Sequence, residues 1–268
     1  MATISAPFST PSLSYSASKP SADACGMTAR VTPKFVPISK VSFTPGTKAT
    51  ITAQAQENVF LKFLLLDASN TGYVNDIKIG NQSLNCSDSA IDLLLLAYNS
   101  QRMPMIGVAV DGNIQASIDI TMDGSGPQQV LGGFSCEAID KAPTLTAQCD
   151  ALNKFFGMGK VTVGTTASAQ LSAQALRDCT LGDLVLANHS LADVKNTELR
   201  VTDITVAGRS VFSGQASDSL GFSVFSQDSQ KLLECFDVEI QTNQRVIITV
   251  FNDNGTKSAI VGGGFFVR

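Results

Sequence analysis

Two stretches of this 268-residue chain match each other block by block and in the same order. Ile51-Thr52-Ala53-Gln54-Ala55 is answered by Leu171-Ser172-Ala173-Gln174-Ala175. Soon after, Leu61, Leu64, Leu65 and Leu66 correspond to Leu181, Leu184, Val185 and Leu186. Asp76-Ile77-Lys78-Ile79 corresponds to Asp203-Ile204-Thr205-Val206, and Asp88-Ser89 to Asp218-Ser219. Val108, Val110, Asn113, Ile118 and Ile120 correspond to Val238, Ile240, Asn243, Ile248 and Val250, and Gly132-Gly133-Phe134 to Gly263-Gly264-Phe265. The offset drifts from 120 to 131 and never reverses, and it jumps chiefly where the segment 187–200 outgrows 67–73. Strand vocabulary recurs by accident in many proteins, but accident does not keep its order over six blocks. The chain therefore reads as two tandem copies of one module of about a hundred residues.

Within each copy the pattern has period two, the mark of a strand with one buried face. Ile114-Gln115-Ala116-Ser117-Ile118-Asp119-Ile120 alternates for most of its length, and so does Val246-Ile247-Ile248-Thr249-Val250, with Ile247 as an extra apolar residue facing outward. Turn signals punctuate the strands at Asp111-Gly112-Asn113, Asp123-Gly124-Ser125-Gly126, Thr242-Asn243 and Asn252-Asp253-Asn254-Gly255. Strands are expected in the first copy at 47–55, 59–67, 73–79, 82–86, 91–98, 104–111, 114–122 and 128–136, with the layout repeated over 165–267. Ala90–Asn99 reads as a helical turn or a buried strand. Its partner Leu220–Ser226, with Gly221 and alternating Phe222, Val224 and Ser226, favours strand in both. Asp150–Phe156, ended by Gly157, reads as a short helix in the connection.

The expected fold is all-β, with an extended N-terminal arm at 1–39, a first sandwich at 40–136, a linker with its helix at 137–156, and a second sandwich at 157–268. Eight antiparallel strands per unit favour a jelly roll, with an immunoglobulin-like sandwich as the alternative.

Composition narrows the function. Hydrophobic residues are 44% and charged residues 16%, so core material is ample, and the net charge of −4 offers no basic footprint for direct nucleic-acid binding. Trp is absent and Tyr numbers three, which leaves little for stacking on sugars or bases. The six cysteines, Cys25, Cys86, Cys136, Cys149, Cys179 and Cys235, form no Cys-x-x-Cys knuckle, and the single His189 cannot complete a Cys/His zinc set. They read as buried small hydrophobes in a reducing compartment, with a disulfide framework the weaker alternative. No apolar run is long enough to span a bilayer as a helix. Residues 1–30 lack the plan of a secretory signal and are rich in Ser, Thr, Ala and Pro. That composition suits an arm that orders against neighbours, and it also suits an organellar transit peptide.

No catalytic, cofactor-binding or metal-ligating residue is assigned. A nucleophile–His–acid scheme has to use His189, which lies in the loop expanded in the second copy and reads as solvated surface, with no Gly-x-Ser-x-Gly elbow in the chain. Asp76 and Asp203 occupy equivalent places in two modules and read as strand-end hydrogen bonders, not as paired catalytic acids. Asn252-Asp253-Asn254-Gly255 resembles the start of a calcium loop but lacks the downstream Glu, and reads as a hairpin turn. Gly132-Gly133 and Gly262-Gly263-Gly264 open no helix, so they read as places of close backbone approach and not as phosphate loops. Asn81, Asn85, Asn188 and Asn254 begin glycosylation triplets that are expected to stay bare without a signal peptide.

Two tandem modules behind an N-terminal arm, without a catalytic set, resemble the double jelly-roll major capsid proteins of tailless, membrane-containing icosahedral phages. The block Val74–Leu84, repeated as Val201–Val211, resembles an early strand pair of that family, and the hairpin Pro104–Met122 with its Gly-Gly-Phe strand resembles a later one. The resemblance covers the architecture of residues 40–268. It implies homotrimers whose six barrels tile a shell, in a virion, with other virion proteins or an underlying membrane as partners and no active site. The alternatives are a tandem β-sandwich binding, adhesion or fibre protein, an organellar protein that loses its first thirty residues, and an enzyme using His189.

Overall fold

The strands expected from period-two patterning account for most of what the chain forms. The computed structural model describes residues 33–44, 46–68, 72–96, 105–123, 128–142, 144, 148, 152–212, 219–226 and 236–267. The first half holds β1 (Pro33–Phe43), β2 (Lys48–Gln54), β3 (Val59–Ala68), β4 (Gly72–Ile79), β5 (Gln82–Ser83), β6 (Ile91–Asp92), β7 (Met105–Val110), β8 (Gln115–Met122) and β9 (Gln128–Ala138). The second holds β10 (Phe155–Val163), β11 (Ser168–Gln174), β12 (Cys179–Asn188), β13 (Leu199–Val206), β14 (Arg209–Ser210), β15 (Leu220–Gly221), β16 (Val238–Ile240), β17 (Arg245–Asn252) and β18 (Ala259–Val267).

All the sheets are antiparallel. In the first half one runs β1-β9-β3-β7 and the other β2-β8-β4-β5, with β6 also on β4. In the second half they run β10-β18-β12-β16 and β11-β17-β13-β14, with β15 on β13. Adding nine to each strand of the first pair gives the second. Each pair of sheets closes on an apolar core. In the first half Ile51, Leu64, Ile77, Ile118, Ile120 and Phe134 are essentially fully buried, and in the second Leu171, Leu184, Ile204, Ile248, Val250 and Phe265 take the same places. Burying one such side chain stabilises the fold by about 1.5–3 kcal/mol.

Alternation is clean where the pattern predicts it. On β8, Ala116, Ile118, Ile120 and Met122 point inward, and on β17 Val246, Ile248, Val250 and Asn252 do. Asn252 is a polar residue at a core position, and its amide offsets the burial by donating to Gly164 O at 3.2 Å and Lys257 O at 2.8 Å.

Three expectations need correction. The chain enters the first sheet at Pro33, not at 40: β1 pairs with β9 from Pro33↔Glu137 to Phe43↔Gln128, so residues 33–39 are strand and not arm. Val36 and Ile38 are buried while Phe35 and Pro37 face out, and Pro37, which has no N–H to give, is tolerated because β1 is an edge strand. The helix expected over 150–156 is not there at its described end, because Phe155 and Phe156 open β10 and are buried; residues 149–151 lie outside the described residues. Of the strand expected over 91–98, the described residues form strand only at Ile91–Asp92, followed by a 3-10 turn at Leu93–Leu96, while 97–98 lie outside the described residues; Leu220–Gly221 is likewise followed by a 3-10 turn at Phe222–Val224. Asp92 Oδ1 accepts from Leu94 N at 3.0 Å, which supplies a backbone partner that a ladder would otherwise provide.

The turn between β13 and β14 carries a local cost. Ala207 sits at φ 51, in the left-handed region where a Cβ is disfavoured, whereas the equivalent turn between β4 and β5 has Gly80 at φ 57. Ala207→Gly is expected to raise stability by about 0.5–1 kcal/mol, measured as the midpoint of urea unfolding.

Candidate functional site

Of the five buried polar residues among those described, Asn85, Ser87 and Asp92 lie where the first half meets the second. The segment 84–90, between β5 and β6, is laid along β10 and β11. Cys86 N donates to Phe155 O at 2.8 Å, Phe155 N to Leu84 O at 3.0 Å, Leu176 N to Cys86 O at 2.8 Å, Asp88 N to Gln174 O at 2.9 Å and Gly159 N to Ala90 O at 2.9 Å. The edge strand β10 is thus capped by the chain's own first half, which removes an unpaired edge. The Asn85 carboxamide, 6% exposed, accepts from Gly157 N at 3.2 Å, and Ser87 Oγ donates to Gly157 O at 2.7 Å. The Arg177 guanidinium donates to Ser83 O and to Asn85 O. Gly157 permits the approach: a Cβ there would stand 2.5 Å from Ala90 O. The cores interlock as well. Phe155 and Leu152 pack into the first core, and Cys86 packs into the second.

Beside this seam sits a buried acid–imidazole pair. His189 Nε2 lies 2.5 Å from Asp92 Oδ2, with side-chain exposures of 3% and 0%. Gly262 makes room for it, since a Cβ at that position would lie 1.6 Å from Asp92 Oδ2. Nearby, Lys160 of β10 reaches back to Asp123 Oδ2 at 2.9 Å and stands 4.3 Å over the Tyr73 ring. Burial pushes the Tyr73 phenol up, and the Asp123 and Asp92 carboxylates push it further, so it stays a neutral ring beneath the ammonium. Leu95, Val185 and Ala187 complete the seam with an apolar contact.

The sequence places His189 at the solvated surface, and the structure corrects this: the ring is buried, because Asp92 of the other half supplies its partner across a separation no local pattern reveals. Its ring makes no hydrogen bond to a hydroxyl or thiol among the described residues, and Nδ1 has no partner there. In this arrangement the pair ties the halves together. Asp76 and Asp203 fall where equivalent structural residues should: Ser83 Oγ donates to Asp76 Oδ1 at 2.5 Å, and Ser210 Oγ donates to Asp203 Oδ1 at 2.5 Å. The side-chain oxygens of Asn252 and Asn254 accept backbone N–H groups of Asn254, Thr256 and Lys257, as in a turn. Among the described residues no three His, Cys, Asp or Glu side chains gather as a metal site. Gly132, Gly133 and Gly264 lie within 3 Å of carbonyl oxygens of flanking strands, as measured from a Cβ built on each. Cys86 and Cys136 are buried and Cys179 is half-buried; Cys25, Cys149 and Cys235 lie outside the described residues.

No protein-family model matches the chain, and no curated protein does. Among solved structures, a Paenibacillus xanthan lyase is similar at a TM-score of 0.28 and 13% identity, over 89% of this chain and 25% of that one. The chain thus spans a quarter of that enzyme's length, and a likeness this slight assigns neither fold nor activity.

Proposed function

We propose that this chain is a structural protein that builds a shell by repeating its internal junction between copies. It is read as a duplicated jelly roll of the double jelly-roll capsid kind, acting as a trimer in a virion. The strand orders 1-9-3-7 and 2-8-4-5, each recurring nine strands later in two facing sheets, support that reading. Equivalent hydrogen bonds support the duplication. Leu84 N→Ile77 O and Val211 N→Ile204 O are both 2.8 Å, and Asn85 N→Ser83 Oγ and Phe212 N→Ser210 Oγ are both 3.1 Å.

The observation that carries the proposal is an asymmetry of exposure. Val36 pairs with Phe134 as Phe156 pairs with Phe265, so Phe35 is the counterpart of Phe155. Phe155, covered by the first half, is 1% exposed, whereas Phe35 is 67% exposed. Leu131, the counterpart of Gly262 at the seam, is 38% exposed. At the other end, Leu84 and Ile91 are buried in the seam, while their counterparts Val211 and Leu220 are 40% and 44% exposed. One junction is made in the middle of the chain, and each end bears the apolar half of another. Such a contact is head-to-tail, so it closes a ring or runs on as a filament. A ring of three chains presents six similar modules. Pro37 stands where Gly157 admits Ala90, so the contact between chains is quasi-equivalent there and not identical.

Light scattering on the full-length chain across a concentration series tests the proposal. A trimer, with larger particles at higher concentration, is expected. A concentration-independent species of 28.2 kDa would overturn it in favour of a tandem β-sandwich binding protein.

A further inference from the structure

The internal seam carries a charged contact whose counterpart at the open ends of the chain differs at one residue. Within the chain, Lys160 leaves β10 of the second half and meets two residues of the first. Its ammonium donates to Asp123 Oδ2 at 2.9 Å and stands 4.3 Å from the centre of the Tyr73 ring. The Lys160 side chain is only 4% exposed, so the carboxylate and the ring take the place of its water.

The repeat fixes the counterpart of each. Val41 pairs with Val130 as Val161 pairs with Val261, so Lys40, one residue earlier, holds the register position of Lys160. Ile51↔Ile118 matches Leu171↔Ile248, which makes β8 and β17 equivalent, and Asp253 follows β17 as Asp123 follows β8. Tyr73 pairs with Thr121, and Arg200 pairs with Phe251 at the same place, so Arg200 stands where Tyr73 does. Lysine answers lysine and acid answers acid, but a guanidinium replaces the phenol ring. That guanidinium already holds the acid: it donates to Asp253 Oδ1 and lies 5.2 Å over the Phe251 ring. Both side chains of this pair are 42% exposed, so an incoming group can reach them.

Resting on the head-to-tail reading above, we propose that Arg200 is a brake on assembly. Lys40 of one copy comes to Asp253 of the next and finds the carboxylate shared with a second cation. The repulsion between the two cations offsets the attraction of Lys40 for the acid. Arg200 also denies Lys40 the aromatic face that Tyr73 gives Lys160. The contact between copies is therefore weaker than the seam it repeats. The seam, within one chain, stays closed, while contacts between chains open and close. A weaker contact of this kind releases a misplaced copy sooner.

Two variants of the full chain test the brake. Arg200→Tyr rebuilds the arrangement of the seam between copies, and Arg200→Gln removes the charge alone. An exposed ion pair contributes little to folding, so both should melt within a few degrees of wild type. Sedimentation velocity across a concentration series reads the midpoint of assembly. Arg200→Tyr should lower that midpoint by roughly three- to thirty-fold at low salt. Arg200→Gln should lower it less, and its gain should fade as sodium chloride is raised, because only a charge repulsion has been removed. In a Lys40→Gln background the gain from Arg200→Gln should vanish, since the charge that Arg200 repels is gone. A wild type that assembles, with Arg200→Tyr no tighter or with an Arg200→Gln gain that survives Lys40→Gln, would overturn the brake and leave the shell reading standing. Wild type and variants that stay monomeric at every concentration would overturn both.

Discussion

Phe35→Asp is expected to abolish the proposed assembly and leave the 28.2 kDa chain folded. Phe35 points away from the first core, at 67% exposure, so an acid there costs the monomer little. Its counterpart Phe155 meets Phe266 edge-to-face, with centroids 6.2 Å apart, at the heart of the internal seam. If the same surface is covered between chains, the substitution forces a carboxylate into an apolar contact. Removing one buried aromatic anchor costs about 2–4 kcal/mol, which weakens each contact roughly 30- to 1,000-fold. Sedimentation of wild type and variant at matched concentration reads the loss directly. Circular dichroism and the melting temperature should match wild type within a few degrees.

The largest loss of stability is expected at a glycine. Gly262→Ala places a Cβ 1.6 Å from Asp92 Oδ2 and 2.6 Å from its Cγ, so Asp92 has to leave His189 or β18 has to move. Breaking a buried pair costs about 3–5 kcal/mol, and strain adds to it. For a chain of this size that lowers the melting temperature by roughly 8–15 °C. His189→Ala should cost about 3–5 kcal/mol through the first effect alone, because Asp92 would keep Leu94 N–H as its only described partner. Gly255→Ala, with nothing within 4 Å of the new carbon, is the control and should stay within about 0.5 kcal/mol. The decisive reading is the double variant. Asp92→Ala removes the atoms that the new methyl group at position 262 strikes, so the two losses should fall well short of additive. Additive losses would mean that the glycine is needed for another reason.

How much of this could be read from the sequence depends on whether the signal was local. Strands β2, β3, β4, β7, β8 and β9 lie close to where alternation puts them, because one buried face writes itself into every second residue. β1 escapes such a reading because Pro37 and its lysines look like an arm, although Val36, Ile38, Val41 and Phe43 do alternate across a bulge between Ile38 and Val41. The helix at Asp150–Phe156 fails because Phe155 is buried by residues seventy positions upstream, and such contacts override local preference. The seam itself is not legible, since Asp92 and His189 are 97 residues apart. It does leave a trace. The two halves differ where the seam is: Gly157 against Pro37, Gly262 against Leu131, and Asp92 against Gly221, which opens the 3-10 turn at Phe222–Val224. A repeat compared for its departures, and not only for its matches, points to the junction.

Mixing two blocked variants tests the central claim most directly. Phe35→Asp spoils one end of the chain and leaves Val211 and Leu220 intact, and Leu220→Asp spoils the other end and leaves Phe35 intact. Each alone should run as a monomer. For a head-to-tail contact, an equimolar mixture restores one good pairing, and native mass spectrometry should show a heterodimer at twice the 28.2 kDa chain mass and nothing larger. A mixture that stays monomeric, or variants that assemble alone as the wild type does, would contradict the account.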